Sequence, residues 1–133
     1  MKVYCDTNVF LDFMDDRYDK IRPLGDFAFG MFQRGWDCLF YLVFSEWNYE
    51  ELRKFKSEEE IKELLGYFEE KKKLIRVKYS QEEKRAAMQT SSHWQDELHM
   101  IIALRENCEK FVTRNVSDFS SSSKIGIFHP ENI

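Results

Sequence analysis

Five short runs rich in β-favouring residues, none joined to the next by a tight hairpin turn, constrain this 133-residue chain more than any other feature. They are Lys2 to Cys5, Cys38 to Val43, Leu74 to Tyr79, Phe111 to Thr113 and Ile125 to Phe128. Helical periodicity fills the intervals. Asp6-Thr7-Asn8 caps a stretch carrying Val9, Phe10, Leu11 and Phe13. Ile21 to Arg34 places Leu24, Phe27, Ala28, Met31 and Phe32 near one helical face, and Gly35 follows as a C-cap. Ser45 caps Glu46 to Lys54, and Ser57 with Glu60 forms a capping box ahead of Ile61, Leu64, Leu65 and Phe68. Ser80 and Glu83 open a helix to about Thr90, and an apolar helix runs from Trp94 to Cys108. Strands alternating with helices in this way predict a three-layer α/β/α sandwich with a central, mainly parallel sheet, as one domain over 1–133. The uninterrupted apolar run at Cys38 to Phe44 suits a strand covered on both faces. Ser120 to Ser123 reads as a loop.

Acidic residues recur where strands hand over to helices or loops. Asp6 follows Val3-Tyr4-Cys5, Glu46 follows the run ending at Ser45, Asp96 opens the apolar helix, and Asp118 comes shortly after Phe111-Val112-Thr113. In an open parallel sheet the ligand crevice lies beyond the carboxyl ends of the strands. A lone Asp there is a good helix cap; repetition is what raises the functional reading. Carboxylates meeting in that crevice repel, at roughly 4 kcal/mol per pair for ~4 Å and an effective dielectric of ~20. Protonation or a cation relieves this. Oxygen donors without Cys or His partners point to Mg2+ or Mn2+.

Composition narrows the class. A hydrophobic share of 43%, with 12 Phe, 6 Tyr and 3 Trp, argues against disorder. The run from Cys38 to Phe44 is far short of the ~20 residues of a membrane helix. With no basic region leading into a long apolar stretch, the N-terminus predicts no secretory signal and a cytoplasmic protein. Cys5, Cys38 and Cys108, odd in number and without a Cys-x-x-Cys, read as buried thiols in a reducing compartment. A net charge of −4 gives no bulk attraction for nucleic acid, so chemistry on a phosphodiester would need a metal and local basic residues.

Val3-Tyr4-Cys5-Asp6-Thr7-Asn8-Val9-Phe10-Leu11-Asp12 resembles the opening signature of PIN domains. Ser45-Glu46, followed by Glu51-Leu52, is similar to their second motif; Asp96 to Leu104 resembles the third and Phe111 to Phe119 the fourth. The matches are colinear over nearly the whole chain, whose length is similar to that of compact VapC-type toxins. The resemblance implies a Mg2+- or Mn2+-dependent endoribonuclease on a Rossmann-like sheet, releasing a 5′-phosphate. It implies Asp6, Glu46 and Asp96 as core metal-holding acids, with either Asn115 or Asp118 in the fourth position. Thr113 would orient a water or the scissile phosphate, and Asn8 would fix the Asp6 carboxylate. Arg114 is the candidate phosphate contact. The partners implied are RNA, a second copy of the chain in a homodimer, and an antitoxin whose amphipathic helix lies in an aromatic groove. Phe27, Phe29, Phe32, Trp36, Trp47, Tyr49 and Phe55 exceed the needs of one small core and supply candidates for such surfaces.

Other residues have plainer readings. Asp12, Asp15 and Asp16 read as a solvated helix end, Glu50 and Glu51 as surface acids, and Lys71 to Lys73 as a solvated face, although Glu51 matches a recurrent family position. His93 and His99 flank Asp96 and could suggest a transition-metal site, but packed or capping histidines are commoner. Other functions remain open. A haloacid-dehalogenase-type phosphatase would need Asp where Asn8 stands. A receiver-like phosphoacceptor domain would need an adjacent acid pair and a late Lys. A non-catalytic PIN-like module that binds RNA or a protein stays in play because Asn115 is neutral.

Overall fold

Lys2–Cys5 forms the central strand β1 of a five-stranded sheet in a computed structural model. The structure describes residues 1–17, 22–90, 92–119 and 125–133, without the side chains of Ser117 and Asp118. The other strands are β2 (Tyr41–Ser45), β3 (Leu74–Val77), β4 (Lys110–Val112) and β5 (Gly126–Phe128). Their order is β3-β2-β1-β4-β5, and every pairing is parallel. The helices are α1 (Thr7–Asp15), α2 (Leu24–Trp36), α3 (Glu46–Leu52), α4 (Glu58–Glu70), α5 (Gln81–Thr90), α6 (Trp94–Arg105) and α7 (Val116–Phe119), with a 3-10 turn at Pro130–Asn132.

Strand alternation builds two cores, one on each face of the sheet. Val3, Cys5, Leu42, Phe44 and Val112 point to the face covered by α1, α2 and α4, where Phe10, Phe32, Leu65 and Phe68 are buried. Tyr4, Val43 and Phe111 point to the opposite face, against Ala87 of α5 and Leu98, Ile102 and Ala103 of α6. This is the expected three-layer α/β/α sandwich. Burying each large apolar side chain stabilises it by roughly 1.5–3 kcal/mol.

The expected serine caps form, whereas Asp6 stands at the N-cap of α1 without a side-chain cap hydrogen bond, its carboxylate being turned to Thr113 instead. Ser45 with Asn48 and Ser57 with Glu60 make capping boxes, and Ser80 and Glu83 exchange backbone-to-side-chain bonds at 2.9 and 3.1 Å ahead of α5. Several boundaries differ from expectation. Helix α2 begins at Leu24, whereas Ile21 lies outside the described residues, as does the Ser120 to Ser123 loop. Gly35 lies inside α2 and is not its C-cap; an added Cβ there would stand 2.5 Å from the Phe68 ring and 2.8 Å from Phe40, so close packing is what requires glycine. Strand β2 starts at Tyr41 because Cys38 takes a left-handed φ of 66° and the chain is still turning there. That turn leaves Cys38 exposed, correcting the expectation of three buried thiols, while Cys5 and Cys108 are buried. Helix α6 stops at Arg105, before Asn107 turns left-handed at φ 57°. Among the described residues no helix is long and apolar enough to cross a membrane.

Candidate active site

The strand order reverses between β1 and β4, which lie side by side although their outward neighbours run in opposite sequence directions. A crevice opens at such a switch point, beyond the carboxyl ends of the strands. Asp6 leaves β1 at this place, tied by its backbone N–H to Val112 O of β4 at 2.9 Å. Thr113, just after β4, donates from Oγ1 to Asp6 Oδ2 at 3.2 Å. Asp6 is 4% exposed, and its pKa is raised: burial is the largest cause and the charge of Glu51 adds to it. The charge of His99 and hydrogen bonds from Thr113 and the Thr7 backbone act in the opposite direction without overcoming burial.

Beside Asp6 a closed ring of side-chain hydrogen bonds joins β1 and β2 to α1, α3 and α6. Tyr4 Oη lies 2.7 Å from Ser45 Oγ and 2.6 Å from His99 Nδ1. His99 Nε2 lies 2.5 Å from Glu51 Oε1, which also accepts from Thr7 Oγ1 at 2.6 Å. Thr7 Oγ1 accepts from Asn48 Nδ2 at 3.0 Å, and Asn48 Oδ1 accepts from Ser45 Oγ at 3.1 Å, which closes the circuit. Between Tyr4 and Ser45 either hydroxyl can donate, and the donor between Tyr4 and His99 follows the imidazole tautomer. Burial pushes the Glu51 carboxyl up, but hydrogen bonds from His99 and Thr7 and the charge of His99 outweigh it, so its pKa is lowered. Two neighbouring carboxyls are thus driven in opposite directions, Asp6 up and Glu51 down, an arrangement associated with functional sites.

The expected site residues divide. Asp6 and Thr113 are brought into contact. Asp96 is half-buried in the first turn of α6, one helical turn before His99. Asn115 is exposed and donates its backbone N–H to Thr113 Oγ1 at 3.1 Å. Asp118 lies on α7, with its side chain outside the described residues. Glu46 is not brought to Asp6. It is exposed, lines a separate cavity with Arg76 and Lys78, and leaves Glu51 as the acid of α3 that bears on Asp6. Asn8 is half-exposed; the groups bonded to the Asp6 carboxylate are Thr113 and the Thr7 backbone. Arg114 is held by Asp12 at 2.8 Å. Asp12 is 1% exposed, which overturns its reading as a solvated acid: it faces inward from α1 and meets both Arg114 and Arg17.

Helical phase was the signal for Glu51. In a helix starting at Glu46, the buried face runs through Trp47, Asn48 and Leu52, and Glu51 falls on that stripe, whereas Glu46 and Glu50 share the exposed one. The packed-histidine reading suits His99, fully buried between Leu98 and Met100.

A divalent cation is the group that the acids imply. Among the described residues no three His, Cys, Asp or Glu side chains are grouped to hold one. Magnesium, however, takes one or two carboxylates and fills its remaining positions with waters and substrate phosphates. A buried Asp6 whose charged form is disfavoured beside a second carboxylate fits that need by its chemistry. The sequence matches no protein-family model and no curated protein. Among solved structures it is similar to a chain in the crystal structure of VapBC2 from Rickettsia felis bound to a DNA fragment from their promoter. Identity is 16%, the match covers 97% of this chain and 98% of that one, and the TM-score is 0.62, a likeness of fold.

Proposed function

We propose that this chain is a Mg2+- or Mn2+-dependent endoribonuclease, the toxin of a toxin–antitoxin pair. One observation carries the reading: a buried aspartate at the switch point of a parallel sheet, its charged form disfavoured, beside a second carboxyl fixed by hydrogen bonds. The likeness in fold to a chain of the VapBC2 complex supports it. Asp6 and Asp96 would hold the cation, with Glu51 in the place first expected of Glu46 and with Asp118 or Asn115 completing the set. When bound, the cation supplies positive charge against the phosphoryl oxygens and a hydroxide near neutral pH. Water adds to phosphorus, the bond to the 3′ oxygen breaks, and the products are a 3′-hydroxyl and a 5′-phosphate.

The protein's own groups keep this centre in place. Thr113 orients Asp6 through its 3.2 Å hydrogen bond, and His99 and Thr7 hold Glu51 from two sides. Asn8 and Arg114 would serve as substrate contacts, Arg114 through the guanidinium N–H groups that its Asp12 bond leaves over. The protein acts in the cytoplasm.

The partner surface lies on the other side of α1. Phe13 stacks on Phe29 with ring centres 6.0 Å apart, and Trp36 meets Tyr67 at 4.9 Å. Phe29 and Tyr67 are 45% and 53% exposed. A cleft of about 270 Å3 opens here, with Glu60 and Glu63 on its rim. An antitoxin helix with an apolar stripe and a basic edge suits this cleft, and a second copy of the chain would pair through the neighbouring aromatic face.

Single-stranded RNA and purified protein test the activity. Cleavage with Mg2+ or Mn2+ is expected to stop with EDTA and in Asp6→Asn and Asp96→Asn, and to fall at least 100-fold in Glu51→Gln. Cleavage that survives EDTA would overturn the reading. A second reading, a non-catalytic module that binds RNA or protein, is favoured by the lack of a three-ligand cluster among the described residues and by neutral Asn115. Failure to bind Mn2+ at millimolar concentration would decide for it.

A further inference from the structure

A second cavity, of about 380 Å3, opens where β2 and β3 end, on the same edge of the sheet as Asp6. Its floor is apolar: Phe44, Ile61 and Leu65 are each at most 2% exposed. Tyr49 offers a half-buried aromatic ring on one wall. The mouth is charged, and its charges are not all spent on one another. Arg76 is paired with Glu69, and Lys62 lies 4.0 Å from Glu58. Glu46 and Lys78 line the same opening, both exposed, and among the described residues neither side chain makes an ion pair. An acceptor and a donor left apart at the mouth of an apolar slot suit a flat ligand that carries donors and acceptors on one edge.

Ser45 connects this cavity to the candidate active site. It lines the cavity, and its Oγ lies 2.7 Å from Tyr4 Oη in the hydrogen-bonded ring beside Asp6. Both sites lie at the carboxyl ends of the strands, so a strand of RNA bound at Asp6 would run along the edge on which Tyr49 lines the cavity. Sequence-specific recognition of RNA works on unpaired bases, by stacking on aromatic rings and hydrogen bonding to base edges. The volume lies at the small end of the range of ligand pockets, ~300–1,000 Å3, which suits one base with its sugar rather than a folded segment. We propose that this cavity is a base-selecting subsite of the nuclease and that it prefers guanine. The Glu46 carboxylate would accept from guanine N1–H and the exocyclic amine, Lys78 would donate to O6, and Tyr49 would stack on the ring. The proposal rests on the ribonuclease reading for its context, and it gives Glu46 a role in place of metal binding.

The test is binding, not cleavage. GMP, AMP, CMP and UMP are titrated in EDTA against 15N-labelled full-length protein. GMP is expected to shift the amides of 44–46 and 76–78 saturably, with at least tenfold higher affinity than AMP. Glu46→Gln is expected to abolish that preference, Lys78→Ala to weaken GMP severalfold, and Tyr49→Leu to weaken all four nucleotides. Amide spectra of each variant check that it is folded. The proposal fails if GMP causes no saturable shift, if shifts centre on Asp6 or the aromatic cleft instead, or if folded Glu46→Gln keeps the preference. Because no cleavage is read, an inactive protein that binds GMP here would sink the nuclease reading alone. An active nuclease with a silent cavity would sink the subsite alone.

Discussion

Asp12 is 1% exposed and receives two guanidinium groups, Arg114 at 2.8 Å and Arg17 at 3.8 Å. Burial raises its pKa above the ordinary carboxylate value, and the two arginines act against that rise. Removing one partner of a buried pair strands the other's charge. Arg114→Met is therefore expected to destabilise the fold by about 3 kcal/mol, the low end for such a break because Arg17 remains. Urea unfolding measures this, and Asp12→Asn in the same chain should recover most of the loss. A neutral single variant would mean that Asp12 does not hold Arg114 in solution. The pair spans 102 positions in sequence, and nothing local to Asp12 announces it. Local periodicity carries more for Glu51, whose helical phase with Trp47 and Leu52 is visible once α3 is placed. The choice between Glu46 and Glu51 was nonetheless hard to make from sequence, because both follow one strand and only the rotation of a seven-residue helix separates them. Tyr4 is harder still: its hydroxyl becomes part of the site only when β2 and α6 bring Ser45 and His99 to it.

At the scale of elements, two helical glycines provide a matched comparison. A Cβ on Gly35 of α2 would sit 2.5 Å from Phe68 and 2.8 Å from Phe40, whereas one on Gly66 of α4 would meet nothing within 4 Å. Gly35→Ala is expected to cost about 1–2 kcal/mol, with overpacking of 1–3 kcal/mol partly offset by the better helix propensity of alanine. Gly66→Ala should gain about 0.5–1 kcal/mol for the same propensity reason. Thermal unfolding of the two variants should therefore move in opposite directions, and equal shifts would show that the Phe40–Phe68 contact yields freely. Local and distant determinants likewise separate the element boundaries that can be read from sequence from those that cannot. The starts of α3, α4 and α5 carry side-chain caps that act within three residues, at Ser45, Ser57 and Ser80, and these were legible. The end of α2 depends on packing against residues distant in the chain, and the start of β2 depends on a left-handed turn at Cys38, a residue type that does not signal one.

For the molecule as a whole, alternation of runs and capped helices was enough to foresee a parallel three-layer sandwich, but not the order β3-β2-β1-β4-β5. That order sets β1 and β4 side by side and so gives Asp6 its neighbours, at a cost to stability. The Asp6 pKa is raised from 3.8, mainly by burial, so between pH 3.8 and its folded value the native state binds more protons than the unfolded state. Stability then falls as pH rises through that window and stays reduced at neutrality. Asp6→Asn should therefore stabilise the protein at pH 7 by about 1–2 kcal/mol, roughly 4–7 °C in Tm, and the advantage should shrink as pH falls toward 3.8. A cation held by Asp6 would act on the same term from the other side. At 100 times its Kd, ligand binding stabilises a native state by about 2.7 kcal/mol. Millimolar Mn2+ should raise the Tm of the wild type and leave that of Asp6→Asn unchanged. Calorimetry across pH 4 to 7, with and without Mn2+, separates the two effects. A wild type and variant with identical pH profiles would mean that the Asp6 charge is not under strain, whereas an equal Mn2+ shift in both would place the cation elsewhere.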